Sequence, residues 1–129
     1  MIYSTKKAGS LGLMAFMLAL SACNYFNERK LQGVWQAAEV SEDSTKIEVD
    51  LTKVVLKIEP EKRYYYHGTL NYEEAGTYKF RDNLLYIKDT TQNNSGEKIM
   101  EVLLLSDDSL FLKMEENQKP RILKLVKQK

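Results

Sequence analysis

Few residues in this chain of 129 could do chemistry, and their types and spacing narrow what that chemistry could be. There is one Cys, Cys23, and one His, His67. One thiol makes no internal disulfide, and one His with one Cys makes no four-ligand zinc site. His67 follows Tyr64-Tyr65-Tyr66, and no motif pairs it with a nucleophile. It reads as a pocket or core-edge histidine rather than a general base. Glu73-Glu74 and Asp107-Asp108 are adjacent carboxylates. Neighbours in a strand point to opposite faces, so neither makes an acid–base pair. Both read as solvated turn residues, without the twelve-residue spacing of a calcium loop. Asn93-Asn94-Ser95-Gly96 has no phosphate-loop pattern and reads as a turn. The sequence therefore predicts no catalytic residue, no metal and no dissociable cofactor.

The remaining chemistry lies in how charge and apolar residues are distributed. Hydrophobic residues make up 43% and charged residues 29%, with 19 basic and 18 acidic side chains. A net charge of +1 excludes a strongly basic nucleic-acid binder. The length allows one domain. Residues 1–22 carry Lys6 and Lys7 and no acid, followed by ten uncharged residues from Leu11 to Leu20. A bilayer-spanning helix needs about 20. A basic start, a short apolar middle and small residues at the end describe a secretory signal peptide.

The end of that segment, Leu20-Ser21-Ala22-Cys23, resembles the lipobox of bacterial lipoproteins. The resemblance implies a diacylglycerol group on the Cys23 thiol, cleavage before Cys23 and acylation of the new amino terminus. Residues 23–30 would be the lipidated Cys and a tether, and residues 31–129 the folded domain. The implied location is the cell envelope, anchored to a membrane. Asn24 is not the Asp that marks inner-membrane retention in enterobacterial lipoproteins, so the outer membrane is expected. The mature chain of 107 residues carries a charge of −1.

The mature chain reads as short β-rich blocks parted by turn residues every 8–12 positions, the pattern of an all-β sandwich or barrel. The blocks are 33–40, 54–58, 64–70, 76–80, 84–88, 98–105, 110–114 and 121–126. Residues 46–53 are ambiguous. In Gly76-Thr77-Tyr78-Lys79-Phe80, Tyr78 and Phe80 face inward, and Thr77 and Lys79 outward. Asn71-Tyr72-Glu73-Glu74 is expected to turn the chain. The last block also fits helical spacing, with Pro120 at a helix start, but its shortness favours a strand. Eight antiparallel blocks with short loops suggest an up-and-down meander, and closing it into a barrel removes its edges.

From Leu31-Gln32-Gly33-Val34-Trp35 onward the chain resembles the bacterial lipocalin-like lipoproteins. Gly76-Thr77-Tyr78, Leu85-Tyr86-Ile87 and the hairpin Leu105-Ser106-Asp107-Asp108-Ser109-Leu110-Phe111-Leu112 follow in that family's order. The resemblance implies a small eight-stranded barrel in which Gly33 and Trp35 mark the first strand and the indole closes the floor. A basic residue of the last strand packs across that indole. Arg121 is the candidate, with an ordinary exposed arginine as the other reading. Val54, Leu56, Ile58, Tyr64, Tyr66, Tyr78, Phe80, Leu85, Ile87, Leu110 and Leu112 would line the interior. Two functions follow. Either the barrel holds a small apolar or amphipathic ligand, or it is solid and acts as a structural, interaction or inhibitor module for another envelope protein. An eight-stranded barrel is only just wide enough for side chains or one small ligand, and short strands argue against a roomy cavity.

Overall fold

Alternation of inward apolar and outward polar side chains runs through most of the chain, and the chain folds as nine antiparallel strands in a computed structural model that describes residues 26–92 and 96–129. They are β1 (Gly33–Glu42), β2 (Thr45–Lys46), β3 (Val55–Glu59), β4 (Arg63–His67), β5 (Glu73–Arg81), β6 (Leu84–Asp89), β7 (Glu97–Leu105), β8 (Ser109–Glu116) and β9 (Lys119–Lys127). Strands β3 to β9 pair in sequence order, β1 pairs with β3, and β9 returns to β1. The result is a closed eight-stranded barrel, as expected, with β2 an extra strand on the end of β1. The final segment is a strand because it pairs on both sides, Leu125 with Leu110 and with Ala37. The lipobox residues Leu20, Ser21, Ala22 and Cys23, and Asn93–Ser95 of the expected turn, lie outside the described residues.

Turns containing two consecutive left-handed residues set four of the hairpins. Asp43-Ser44, Glu61-Lys62, Asp82-Asn83 and Asn117-Gln118 all have positive φ, between 53° and 67°. Consecutive left-handed residues match the right-handed twist of the flanking strands. Two bulges adjust the faces. On β1 the register shifts between Ala37 and Glu39, and on β7 between Val102 and Leu104. The first bulge lets Trp35, Ala37, Val40 and Glu42 share the inner face. The second keeps both Val102 and Leu105 buried, three positions apart. An extra residue in one strand does this by bending it locally.

The core fills one end of the barrel. Trp35, Leu31, Leu85, Leu110, Leu112 and Leu125 are its largest fully buried side chains. A short 3-10 helix, Glu28–Leu31, crosses this end and presses Leu31 into the opening. The buried Trp35 indole N–H donates to the Leu31 carbonyl at 2.8 Å, fixing the plug to the wall. Phe26 also packs on the core, and its N–H donates to Asn83 Oδ1 at 3.1 Å. From Phe26 onward, then, the expected tether belongs to the folded unit.

The third block is shorter than the sequence suggests. It ends at His67, and Thr69–Asn71 form a 3-10 turn with Leu70 and Asn71 at φ 57° and 59°. The chain turns at 68–72, closed by the Gly68 N–H donating to the Tyr72 carbonyl at 2.8 Å. Glu73 and Glu74 consequently fall inside β5, not in the turn expected for them.

Candidate functional site

That one-turn difference decides the chemistry of the interior. Counting back from Tyr78 by twos puts Gly76 and Glu74 on the inner face. Glu74 is 5% exposed and sits directly across from Tyr66 of β4. Its carboxylate accepts from the Tyr64 hydroxyl at 2.5 Å and from the Tyr72 hydroxyl at 2.8 Å. The Lys98 ammonium approaches it at 3.5 Å. The hydrogen bond to Glu74, with desolvation second, pushes the Tyr72 phenol up to about 12. Desolvation first, then the same carboxylate, raises the Tyr64 phenol further. Desolvation also raises Tyr66, whose ring meets that of Tyr72 at 6.3 Å and 60°.

A cavity of about 650 Å³ occupies the half of the barrel away from the plug. Leu56, Ile58, Leu85, Ile87, Leu112 and Leu123 give it apolar walls. Tyr66, Tyr72, Glu74, Lys98, Glu116 and Arg121 ring its mouth. Volumes of 300–1,000 Å³ with apolar walls and few polar groups are typical of small-molecule sites. Of the expected lining residues, Leu56, Ile58, Tyr66, Leu85, Ile87 and Leu112 face this space. Tyr64, Tyr78 and Leu110 are buried in the packed core, and Phe80 is partly buried against it. Val54 is buried and borders a second, shallower hollow beside His67 and Leu70. His67 turns away from the large cavity, and its Nδ1 lies 2.8 Å from the Lys53 carbonyl. Sequence reasoning missed Tyr72, Glu74, Lys98 and Met100 as lining residues. For Glu74 the signal was present in the alternation running back from Tyr78.

Arg121 stands at the mouth, not at the floor. Its Nη2 donates to Glu42 at 2.7 Å and its Nη1 meets Glu116 at 2.8 Å. The Arg121 guanidinium beside Glu42 holds that carboxyl below its usual range. The bulge in β1 turns Glu42 inward to meet it, because Glu42 pairs with Arg121 across the β1–β9 seam. The cation that lies over the Trp35 ring is Lys127, at 5.3 Å. Trp35 pairs with Lys127, six residues along β9 from Arg121. Gly33 has φ +138°, and a Cβ there would lie 2.6 Å from Lys127 Cε. Its missing side chain is the passage through which Lys127 reaches the indole.

A closed, plugged barrel with an open-ended apolar cavity defines a small β-barrel of the lipocalin type. The sequence matches the lipocalin-like domain family over residues 31–112, and the chain belongs to that family. Among solved structures it is similar to a lipocalin-like protein from Bacteroides uniformis ATCC 8492, at 20% identity and TM-score 0.56. That match covers 74% of this chain and 97% of the other. An uncharacterized protein from Bacteroides eggerthii DSM 20697 is also similar, at 16% identity and TM-score 0.51, over 73% of this chain and 98% of that one. At these identities the likeness is one of fold. No curated protein matches the sequence.

Proposed function

We propose that this protein is a lipid-anchored lipoprotein of the cell envelope, placed in the outer membrane, whose barrel binds a small apolar or amphipathic molecule without transforming it. The observation that carries the binding reading is the 650 Å³ cavity, with apolar walls and polar side chains at its mouth. A ligand body entering it loses apolar surface to water, worth about 25 cal/mol per Å². That volume also speaks against a solid barrel. The anchor rests on the signal-peptide pattern and on Cys23, the only cysteine. Two or more acyl chains suffice for stable membrane residence.

The test is titration of the protein with an uncharged apolar fluorescent probe such as N-phenyl-1-naphthylamine, alone and with Met114→Trp, which fills part of the cavity. Saturable binding near one probe per chain, weakened severalfold by the substitution, is expected. Absence of saturable binding, or binding indifferent to Met114→Trp, would remove the cavity from the function. For the anchor, Cys23→Ala should abolish labelling by a radioactive or clickable fatty acid, and persistent labelling would refute it.

A further inference from the structure

The cavity wall carries one buried carboxylate, and its partners are unequal. Two neutral phenols hold Glu74 closely, at 2.5 and 2.8 Å. The cation that balances it, Lys98, stands at 3.5 Å on a side chain that is 61% exposed. A good ammonium–carboxylate hydrogen bond is about 2.7–2.9 Å. A carboxylate out of water needs a charge partner, and this one is loosely held and reaches in from solvent. Beside it, the Tyr66 and Tyr72 rings lie 6.3 Å apart and inclined at 60°. Two aromatic rings and a carboxylate at the mouth of an apolar cavity are the elements that recognise an organic ammonium.

An anionic head group fares worse on the same wall. Arg121, the strongest anion-binding side chain there, already spends Nη1 and Nη2 on Glu116 and Glu42, so its charge is balanced twice over and only the buried Nε is without a partner among the described residues. An incoming carboxylate would also face Glu74, Glu115 and Glu116, all of which line the cavity. An ammonium needs only to displace Lys98 into water, where that side chain already mostly lies.

We propose that the cavity takes an amphipathic amine, an organic ammonium with an apolar chain, whose head sits on Glu74 beside the Tyr66–Tyr72 ring pair and whose chain runs along Leu56, Ile87 and Leu112. The proposal rests on the ligand-binding reading above and specifies its head group.

The test uses four probes of one chain length, decylamine, decyltrimethylammonium, decanol and decanoate, titrated calorimetrically into the protein at neutral pH below their aggregation thresholds. Decylamine should bind about tenfold tighter than decanol, the effect of one favourable charge contact, and decanoate should bind weakest. Glu74→Gln should bring decylamine down to the affinity of decanol and leave decanol unchanged, so decanol also reports an intact cavity. Lys98→Met, which removes the competing ammonium, should tighten decylamine severalfold and needs no change at the buried residue. Decanoate binding more tightly than decylamine, or Lys98→Met weakening the amine, would overturn the amine assignment while leaving the cavity reading in place. Failure of all four probes, decanol included, would overturn both.

Discussion

Lys127 lays its ammonium 5.3 Å from the centre of the Trp35 ring, through the space left by Gly33. The relationship gives the Gly-x-Trp pair a physical reason. The glycine supplies a positive φ and an open path, and the indole supplies a floor that bonds to Leu31 on one edge and meets a cation on its face. Lys127→Met should cost about 1 kcal/mol, the scale of a cation–π contact, and should shift Trp35 emission. Gly33→Ala should cost about 1–3 kcal/mol through backbone strain. Arg121→Met should leave the emission unmoved. If the emission followed Arg121 and ignored Lys127, the assignment of the floor cation would be wrong.

The hairpin turns offer a stabilising change at an exposed position. Gln118 sits at φ 65° in the β8–β9 turn, a conformation that burdens any residue with a Cβ. Gln118→Gly makes the turn Asn-Gly, which suits two left-handed residues. Chemical denaturation should show a gain of about 0.5–1 kcal/mol with an unchanged m-value. Gly76 predicts the reverse. It is opposite Asp89, and a Cβ there would fall 1.8 Å from the Lys88 carbonyl oxygen, which is backbone and cannot swing away. Gly76→Ala should cost about 3 kcal/mol by the scale of overpacking, measured in the same way.

The phenols around Glu74 should make the barrel sensitive to alkali. Tyr72 is pushed up to about 12, first by its hydrogen bond to Glu74, and Tyr64 is raised by burial and then by the same carboxylate. A phenol whose folded value is raised holds its proton more tightly folded than unfolded. Its contribution is therefore complete below about pH 10, the unfolded value, and is lost as pH rises through the folded value. The melting temperature should be flat up to about pH 10 and fall steeply from there towards pH 12. Tyr72→Phe should make that fall shallower. An equally steep fall in the variant would show that other groups govern it.

Barrel closure was legible because it depends on local period. Each block alternates, and Leu125 pairs with both Leu110 and Ala37 only if the last block is a strand. The apolar walls followed from the same alternation, which is why Leu56, Ile58, Leu85, Ile87 and Leu112 face the cavity. The floor cation was not legible, because choosing Lys127 over Arg121 requires the β1–β9 register, and the bulge at Ala38 shifts it. The polar mouth was missed for a different reason. Tyr65-Tyr66-His67-Gly68-Thr69-Leu70 looks like one extended run, yet Leu70 is left-handed and fully exposed. Moving that turn forward by three residues turned Glu74 from a solvated turn residue into the buried charge of the interior.

If Cys23 carries the proposed lipid, the position of the plug predicts how the barrel would face the membrane. Phe26 is the first described residue, it is bonded to Asn83 in the β5–β6 turn, and that turn lies at the plugged end. Cys23 is three residues earlier, a span of at most about 10 Å. A lipid on Cys23 would therefore hold the plugged end near the bilayer and turn the cavity mouth, with the Asn117-Gln118 turn beside it, towards the aqueous side. Fluorescent labels on Asp107→Cys, at the plugged end, and Asn117→Cys, at the open end, would read this in liposomes carrying the lipidated protein. The Asp107 site should be quenched severalfold more strongly by a head-group quencher, and a Cys23 whose sulphur carries the diacylglyceryl group as a thioether would not compete for the label. Equal quenching would mean that the barrel tumbles freely on its anchor. Stronger quenching at Asn117 would mean that the mouth faces the membrane and takes its ligand directly from the lipid.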